Sequence, residues 1–335
     1  MKKVSIIIPI YNGENYIENI FKRICAQSFS EVEVVFVNDG STDDSGKVIR
    51  EFIDRVISEN GQEALVPEFK LIAQTNTGQG GARNRGIEEA SGDYLMFMDQ
   101  DDIIKPDYVE RLLSEAEKSA ADIVISGYEH VNSSGDVKEH VELVNNEWCR
   151  FMNITPWGKI YRRNFIMRKN IRFLPVPLGE DIYFNVLCYS HTDKVAYTNY
   201  IGYQWVINDS SVSNTVHRSV SREANVIDLF NALSEMDTAD KWMKDIEFEY
   251  FMLKTGIFHI LYAAKGTDVS DLFSYEDRIF GWLKAHIPEI NKNPLISLSK
   301  PEGERSGVRY AVYVFVLLRR IHMDKIFLRV FHALP

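Results

Sequence analysis

Residues 94–102 read YLMFMDQDD: five mostly apolar residues run straight into three acids within four positions. The apolar run has the length and composition of a buried strand. In an extended chain Asp99 and Asp101 lie on the same side, with Cα atoms about 6.5 to 7 Å apart. Carboxylates that close repel one another unless a proton or a cation intervenes. Hard oxygen ligands of this kind suit Mg²⁺ or Mn²⁺, with a substrate diphosphate completing the shell. Taken alone, the cluster also reads as a solvated turn in which Asp102 helps to start the next helix.

Outward from this stretch, strands and helices alternate. VSIIIPI, VEVVFV and FKLIA read as strands, followed after YLMFM by ADIVISGY. Between them, ENYIENIFKRICAQS has apolar residues at helical spacing. STDDSGKVIREFIDRVI reads as a helix capped by Ser41 or Thr42, with Asp43 and Asp44 in its first turn. GGARNRGIEEA is a short helix, and PDYVERLLSEAEKS a longer one with Pro106 at its first position. Such alternation predicts an α/β fold: a mostly parallel sheet with helices on both faces. From about residue 219 the pattern is helical. The expected division is a catalytic domain over 1–218, with halves at 1–128 and 129–218, and a helical region over 219–335.

Composition narrows the function. The chain has 335 residues and a formal net charge of −10, which disfavours a general nucleic-acid binder. Cys25, Cys149 and Cys188 form no CxxC pair, as expected in a reducing, cytoplasmic compartment. The N-terminal apolar run ends at Pro9, Asn12 and Gly13 as a strand would, too early for a signal peptide. No stretch reaches the roughly 18 to 20 apolar residues of a spanning helix.

Ligands of open α/β sheets sit beyond the carboxyl ends of the strands. The loops there are PIYNGEN, VNDGSTDDS, AQTNTGQGGARNRG and MDQDD. Gly78, Gly80 and Gly81 fail the dinucleotide pattern, whose third glycine would fall on Arg83. Gly46-Lys47 is followed by Val48, which excludes a P-loop. Asp39, at a strand end ahead of the cap residues, could accept the N–H of a base or a ribose hydroxyl. Arg83 and Arg85 suit a phosphate or a base edge; an ordinary surface role also fits Arg85.

Four pieces in order, VSIIIPIYNGENYI, VVFVNDGSTDDS, NTGQGGARNRGIEEASGDYLMFMDQDD and GEDIYF, resemble the family 2 glycosyltransferases of the GT-A fold over roughly residues 1 to 205. The resemblance implies transfer of a hexose or N-acetylhexosamine from a nucleoside-diphosphate sugar, typically a UDP-sugar, to an acceptor hydroxyl with inversion. It assigns Pro9, Tyr11, Asp39, Arg83 and Asp99 to the donor and Asp101 with Asp99 to Mn²⁺ or Mg²⁺. It makes Asp181 the catalytic base, with Glu180 as fallback, and puts Trp157 of WGKIY on the acceptor side. The acceptor would be a glycan or a lipid-linked saccharide of a cell-surface polymer. Gln204-Trp205 without an RW pair argues for a non-processive member, and His217 is a candidate extra metal or diphosphate contact. A helix N-terminus would stabilise ionised Asp181 and weaken it as a base unless burial or a neighbouring acid offsets this.

Two other functions stay open at this point: a sugar-phosphate nucleotidyltransferase, disfavoured by YNGENY in place of a glycine- and lysine-rich loop, and a non-catalytic nucleotide-sugar-binding protein. The C-terminal run YAVYVFVLLRR has three readings: a helix packed on the catalytic domain, a peripheral membrane contact at the inner face of the membrane, or a homo-oligomer contact.

Overall fold

The computed structural model describes residues 4–60, 67–174, 176, 178–207 and 225–334; His217 and the expected 218/219 boundary lie outside them. The chain divides into two compact units. The first comprises Met1–Leu143, Asn153–Val176 and Glu180–Asn208. The second comprises Val144–Met152, Pro177–Gly179 and Asp209–Pro335.

The first unit is built on one sheet. Its parallel part holds β1 (Val4–Ile10), β2 (Val32–Asp39), β3 (Glu68–Gln74) and β4 (Tyr94–Phe97) in the order β3-β2-β1-β4. Every residue of β1 and β4 is buried, which is why they read as continuous apolar runs. Beyond β4 the sheet becomes mixed. β8 (Lys159–Arg162) pairs antiparallel with β4 and with β6 (Ile123–Val131). β6 also pairs parallel with β9 (Val195–Val206) and antiparallel with β7 (Val137–Val141). The short β5 (Ile103–Ile104) runs antiparallel to β9. The expected mostly parallel sheet is thus parallel across its first four strands and again between β6 and β9, with antiparallel pairings through β5, β7 and β8. The expected boundary at 128/129 falls inside β6, so the two halves share one continuous sheet.

Side-chain alternation sends successive strand residues to opposite faces. Ile6, Ile8 and Ile10 join Met96 and Met98 in a core completed by Ile17, Ile20, Phe21 and Ile24 of α1 (Ile17–Cys25) and Val109 and Leu112 of α4 (Tyr108–Ser119). Ile7 faces the other side, against α3 (Gly78–Glu89). A Cβ at Gly86 would lie 2.3 Å from Ile7 Cγ2, so only glycine lets α3 approach β1 this closely. Phe97 packs edge-on against Phe173 and against Phe184 of α7 (Glu180–Ser190) on that side. Helices therefore cover both faces.

Three local expectations change. α2 (Ser45–Asn60) begins after Ser41–Asp44 rather than with them. Thr42 N–H is taken by Asn12 Oδ1 at 2.8 Å, and Ser41 N–H by Asn38 Oδ1 at 3.0 Å, which leaves these residues in a turn. Asp43, not Ser41 or Thr42, accepts the Ser45 N–H, at 3.0 Å. Pro106 sits two residues before α4, whose N-cap position is Asp107.

The second unit is helical, as the sequence suggests. It contains α5 (Cys149–Met152), α8 (Val226–Ser234), α9 (Ala239–Trp242), α10 (Ile246–Ala263), α11 (Val269–His286), α12 (Ser306–Arg320) and α13 (Asp324–Ala333). α6 (Arg163–Arg168) belongs to the first unit. α12 buries Val312, Phe315 and Val316, with Phe315 stacked on Phe280 of α11. No helix among the described residues is long and apolar enough to cross a membrane.

Candidate active site

The loops beyond β1, β2, β3 and β4 converge at the carboxyl edge of the parallel strands. Asn12, at φ +48°, bonds through its N–H to Ser41 Oγ at 3.0 Å, and Gly13 N–H donates to Ser45 Oγ at 2.9 Å. The Gln100 side chain accepts from Tyr11 N–H at 3.0 Å and donates to Tyr11 C=O at 3.2 Å, pinning the β1 loop to the DQDD turn. Tyr11 itself is 48% exposed beside this turn. Pro9 is a buried residue of β1 opposite Val37.

Asp39 closes β2 and is 3% exposed. Its Oδ1 accepts from Gln74 Nε2 at 2.7 Å and from Thr77 N–H at 2.9 Å. That oxygen stitches β2 to the loop before α3. Oδ2 accepts no hydrogen bond among the described residues and is the oxygen left for a ligand.

Arg83 organises the centre. α3 carries it inward on the face that Gly86 presses against β1, and its side chain is fully buried. Nη1 donates to Asp181 Oδ1 at 2.7 Å and Nη2 to Asp99 Oδ1 at 2.7 Å, with Glu180 Oε1 3.7 Å from Nη1. One guanidinium therefore bridges the carboxylates expected to serve donor and base, one of them 98 residues beyond Arg83. Burial disfavours a charged guanidinium, but Asp181, Asp99 and Glu180 outweigh it and hold Arg83 protonated well above its ordinary range. The contacts of buried Arg83 are to Asp181 and Asp99, so any influence on a donor passes through those carboxylates.

Asp181 and Glu180 form the first turn of α7. The Asp181 carboxylate points to Arg83, not into a capping bond. Burial raises its pKa; Arg83 opposes this and Asp99 adds to it, leaving the net direction upward. Burial, with Asp181 alongside, pushes Glu180 up to about 8 against the pull of Arg83. The weakening expected from the helix N-terminus is thus offset, and Asp181 keeps Oδ2 clear of hydrogen bonds among the described residues.

The three acids of DQDD divide. Asp99 turns to Arg83 and Asp101 is partly exposed. Asp102 turns inward and is 5% exposed. It accepts from Tyr203 Oη at 2.6 Å and from Val206 N–H at 2.9 Å, while Asp99 N–H donates to the same Tyr203 Oη at 3.2 Å. Asp102 anchors the turn to β9 and does not start α4. Trp157, expected on the acceptor side, is a core residue at 4% exposure, stacked on Tyr203 at 4.6 Å with their planes 1° apart. Its indole packs against the Asp102–Tyr203 clamp.

Among the described residues no three His, Cys, Asp or Glu side chains converge to cage a metal ion. The residues that would hold one supply carboxylate oxygens: Asp101, and Asp99 through the oxygen not bonded to Arg83. That set fits a hard cation that keeps waters and takes its remaining ligands from a diphosphate. It does not fit a metal held by protein alone.

Sequence reasoning overlooked the Asp102–Tyr203 clamp, Gln100 and Glu33. Glu33 is fully buried in β2, bonded by Ser5 Oγ, by Ser91 N–H and Oγ at 2.8 Å each, and by Lys70 Nζ at 2.6 Å. A lone acid inside VEVVFV was the available signal, since a buried carboxylate needs partners.

A parallel sheet with carboxylates at its carboxyl edge, extended by antiparallel strands, is the GT-A arrangement of nucleotide-sugar transferases. Residues 5–179 match glycosyl transferase family 2, and the chain belongs to that family. It is 36% identical over 230 residues to the glycosyltransferase GlyA of Streptococcus pneumoniae serotype 4, covering 63% of this chain but only 31% of GlyA. To the putative glycosyltransferase EpsH of Bacillus subtilis it is 28% identical, over 73% of each chain. Its fold resembles S. aureus TarS 1-349, crystallised with UDP-GlcNAc, with a TM-score of 0.69 at 20% identity, covering 96% of this chain and 92% of that one. The nucleotidyltransferase reading gives way to this family.

Proposed function

We propose that this glycosyltransferase is metal-dependent and inverting, and moves a sugar from a UDP-sugar to an acceptor hydroxyl in cell-surface glycan synthesis. The observation that carries the proposal is the Arg83 bridge, which holds Asp99 and Asp181 at 2.7 Å on the two arms of one guanidinium. Donor and base carboxylates thereby share a single rigid reference. Asp39 Oδ2 and exposed Tyr11 receive the base and ribose. Asp99 and Asp101 hold a divalent cation together with the diphosphate; the cation supplies Lewis-acid stabilisation of the charge that develops on the leaving group. Asp181 Oδ2 takes the acceptor proton as the hydroxyl attacks, and its raised pKa brings it closer to that task at neutral pH. The UDP-GlcNAc of the TarS crystal structure supports a uridine donor.

A thermal-shift screen of UDP-, GDP- and TDP-sugars with and without Mn²⁺ tests this. Stabilisation by a donor follows its affinity. UDP-sugars should raise the melting temperature only in the presence of the cation. A shift equal with and without Mn²⁺ rules out the metal, and a preference for GDP- or TDP-sugars rules out the uridine assignment.

A further inference from the structure

The outer surface of α12 and α13 is apolar where a solvent-facing helix pair would be polar. Val312, Phe315, Val316 and Leu328 face inward and are buried. Tyr310, Leu317, Ile321, Ile326 and Val330 face outward at 43–61% exposure. On α12, positions 310 and 317 lie two turns apart on one stripe, which Ile321 continues into the turn; on α13, 326 and 330 are i,i+4 neighbours. Scattered exposed apolar residues need no explanation, but an apolar stripe running through two successive helices marks an interaction surface.

Charge indicates what covers it. Residues 306–335 hold Arg309, Arg319, Arg320, Lys325 and Arg329 against Asp324, a net of +4 within a chain of −10. At the α12–α13 turn a cavity of about 570 Å³ is lined by Lys284, Arg319, Arg320, His322 and Lys325, with Asp277 and Asp324 as its only acids. Arg319 is engaged by Glu276 and Asp324, and Lys325 by Asp277 at 2.7 Å. Lys284, exposed on α11, has no ion-pair partner among the described residues, and Arg320 bonds only the neutral carbonyl of Asn291. The basic cavity and the stripe meet at the same turn, where Ile321 stands between Arg320 and His322. Apolar residues that enter an acyl boundary, beside cations at phosphate depth, are the features of a helix lying on an anionic bilayer. A two-fold contact with another copy would set stripe against stripe but bring the two net-positive segments together.

We propose that α12 and α13 dock the protein on an anionic membrane surface, with the apolar stripe at the acyl boundary and the Lys284–Arg320 cavity receiving lipid phosphates. The test is flotation of the full-length protein with vesicles of phosphatidylglycerol and phosphatidylcholine, and with phosphatidylcholine alone. Binding should require phosphatidylglycerol and weaken with salt. Lys284→Gln/Arg320→Gln should lower partitioning by about 25-fold, at about fivefold for each basic residue. Ile326→Ser/Val330→Ser, on exposed positions with the fold checked by circular dichroism, should abolish it. Wild-type protein that ignores phosphatidylglycerol, or either double variant binding as wild type, overturns the assignment. A dimer in sedimentation velocity that Ile326→Ser/Val330→Ser dissolves, with no vesicle binding, also overturns it and gives the face to a second copy.

Discussion

Replacing Arg83 by methionine keeps most of the side-chain volume and removes the guanidinium between Asp99 and Asp181. At about 4 Å and an effective dielectric of about 20, each charge pair is worth about 4 kcal/mol. The two carboxylates are 23% and 27% exposed, so water repays part of this. Removing one partner of a buried pair costs about 3 to 5 kcal/mol. With partial solvation of two acceptors, a loss of about 3 kcal/mol is expected for Arg83→Met. In a unit of this size that corresponds to about 6 to 12 °C in melting temperature. Arg83→Lys, whose ammonium reaches one carboxylate but not both, should fall between the variant and wild type. Urea denaturation of the full chain, with a thermal melt in parallel, measures both. A loss below about 1 kcal/mol for Arg83→Met would show that the carboxylates do not depend on the bridge, and would remove the basis for the shared reference.

Tyr203→Phe keeps the stack on Trp157 but withdraws the hydroxyl from buried Asp102, at an expected cost of about 1 to 3 kcal/mol in the urea midpoint and with a raised KM for the donor. An unchanged midpoint and KM would mean that the clamp does not hold the DQDD turn. Burial alone would raise the pKa of Glu33, but Lys70, Ser5 and Ser91 hold it down to about 2 from 4.5. A depressed carboxylate stabilises the fold above its unfolded pKa, and that contribution fades as pH falls from about 4.5 towards 2. At 1.36 kcal/mol per pH unit this is worth about 3 kcal/mol, so Glu33→Gln should destabilise by about that amount at pH 7 and flatten acid unfolding. A variant with the wild-type acid profile would assign that pH dependence to other groups.

The parallel half of the fold was legible because β1, β2 and β4 are buried almost throughout and read as apolar runs bounded by polar loops, with the edge strand β3 betrayed by its shorter apolar stretch. The antiparallel extension was not: KIYR and the long β9 carry mixed polarity, and their pairing is decided by distant partners. The same distance hid much of the site. Asp39, Asp99 and Asp101 could be chosen by position and residue type, and Asp181 by the family resemblance. That Asp102 answers to Tyr203, 101 residues later, appears only in three dimensions. The cap at Ser41 or Thr42 failed for a related reason, since Asn12 from another loop takes the Thr42 N–H first. The burial of Trp157 was not legible either, because its partner Tyr203 lies on the distant β9.

The most direct test of the central claim is Asp181→Asn, measured for donor binding and for turnover in the same preparation. Loss of the positioned base should lower kcat by about 10²- to 10⁴-fold, while donor affinity by calorimetry stays within about threefold. Glu180→Gln should retain most of the activity. Turnover of Asp181→Asn near the wild-type rate, with donor bound normally, would contradict the assignment of Asp181 as the base.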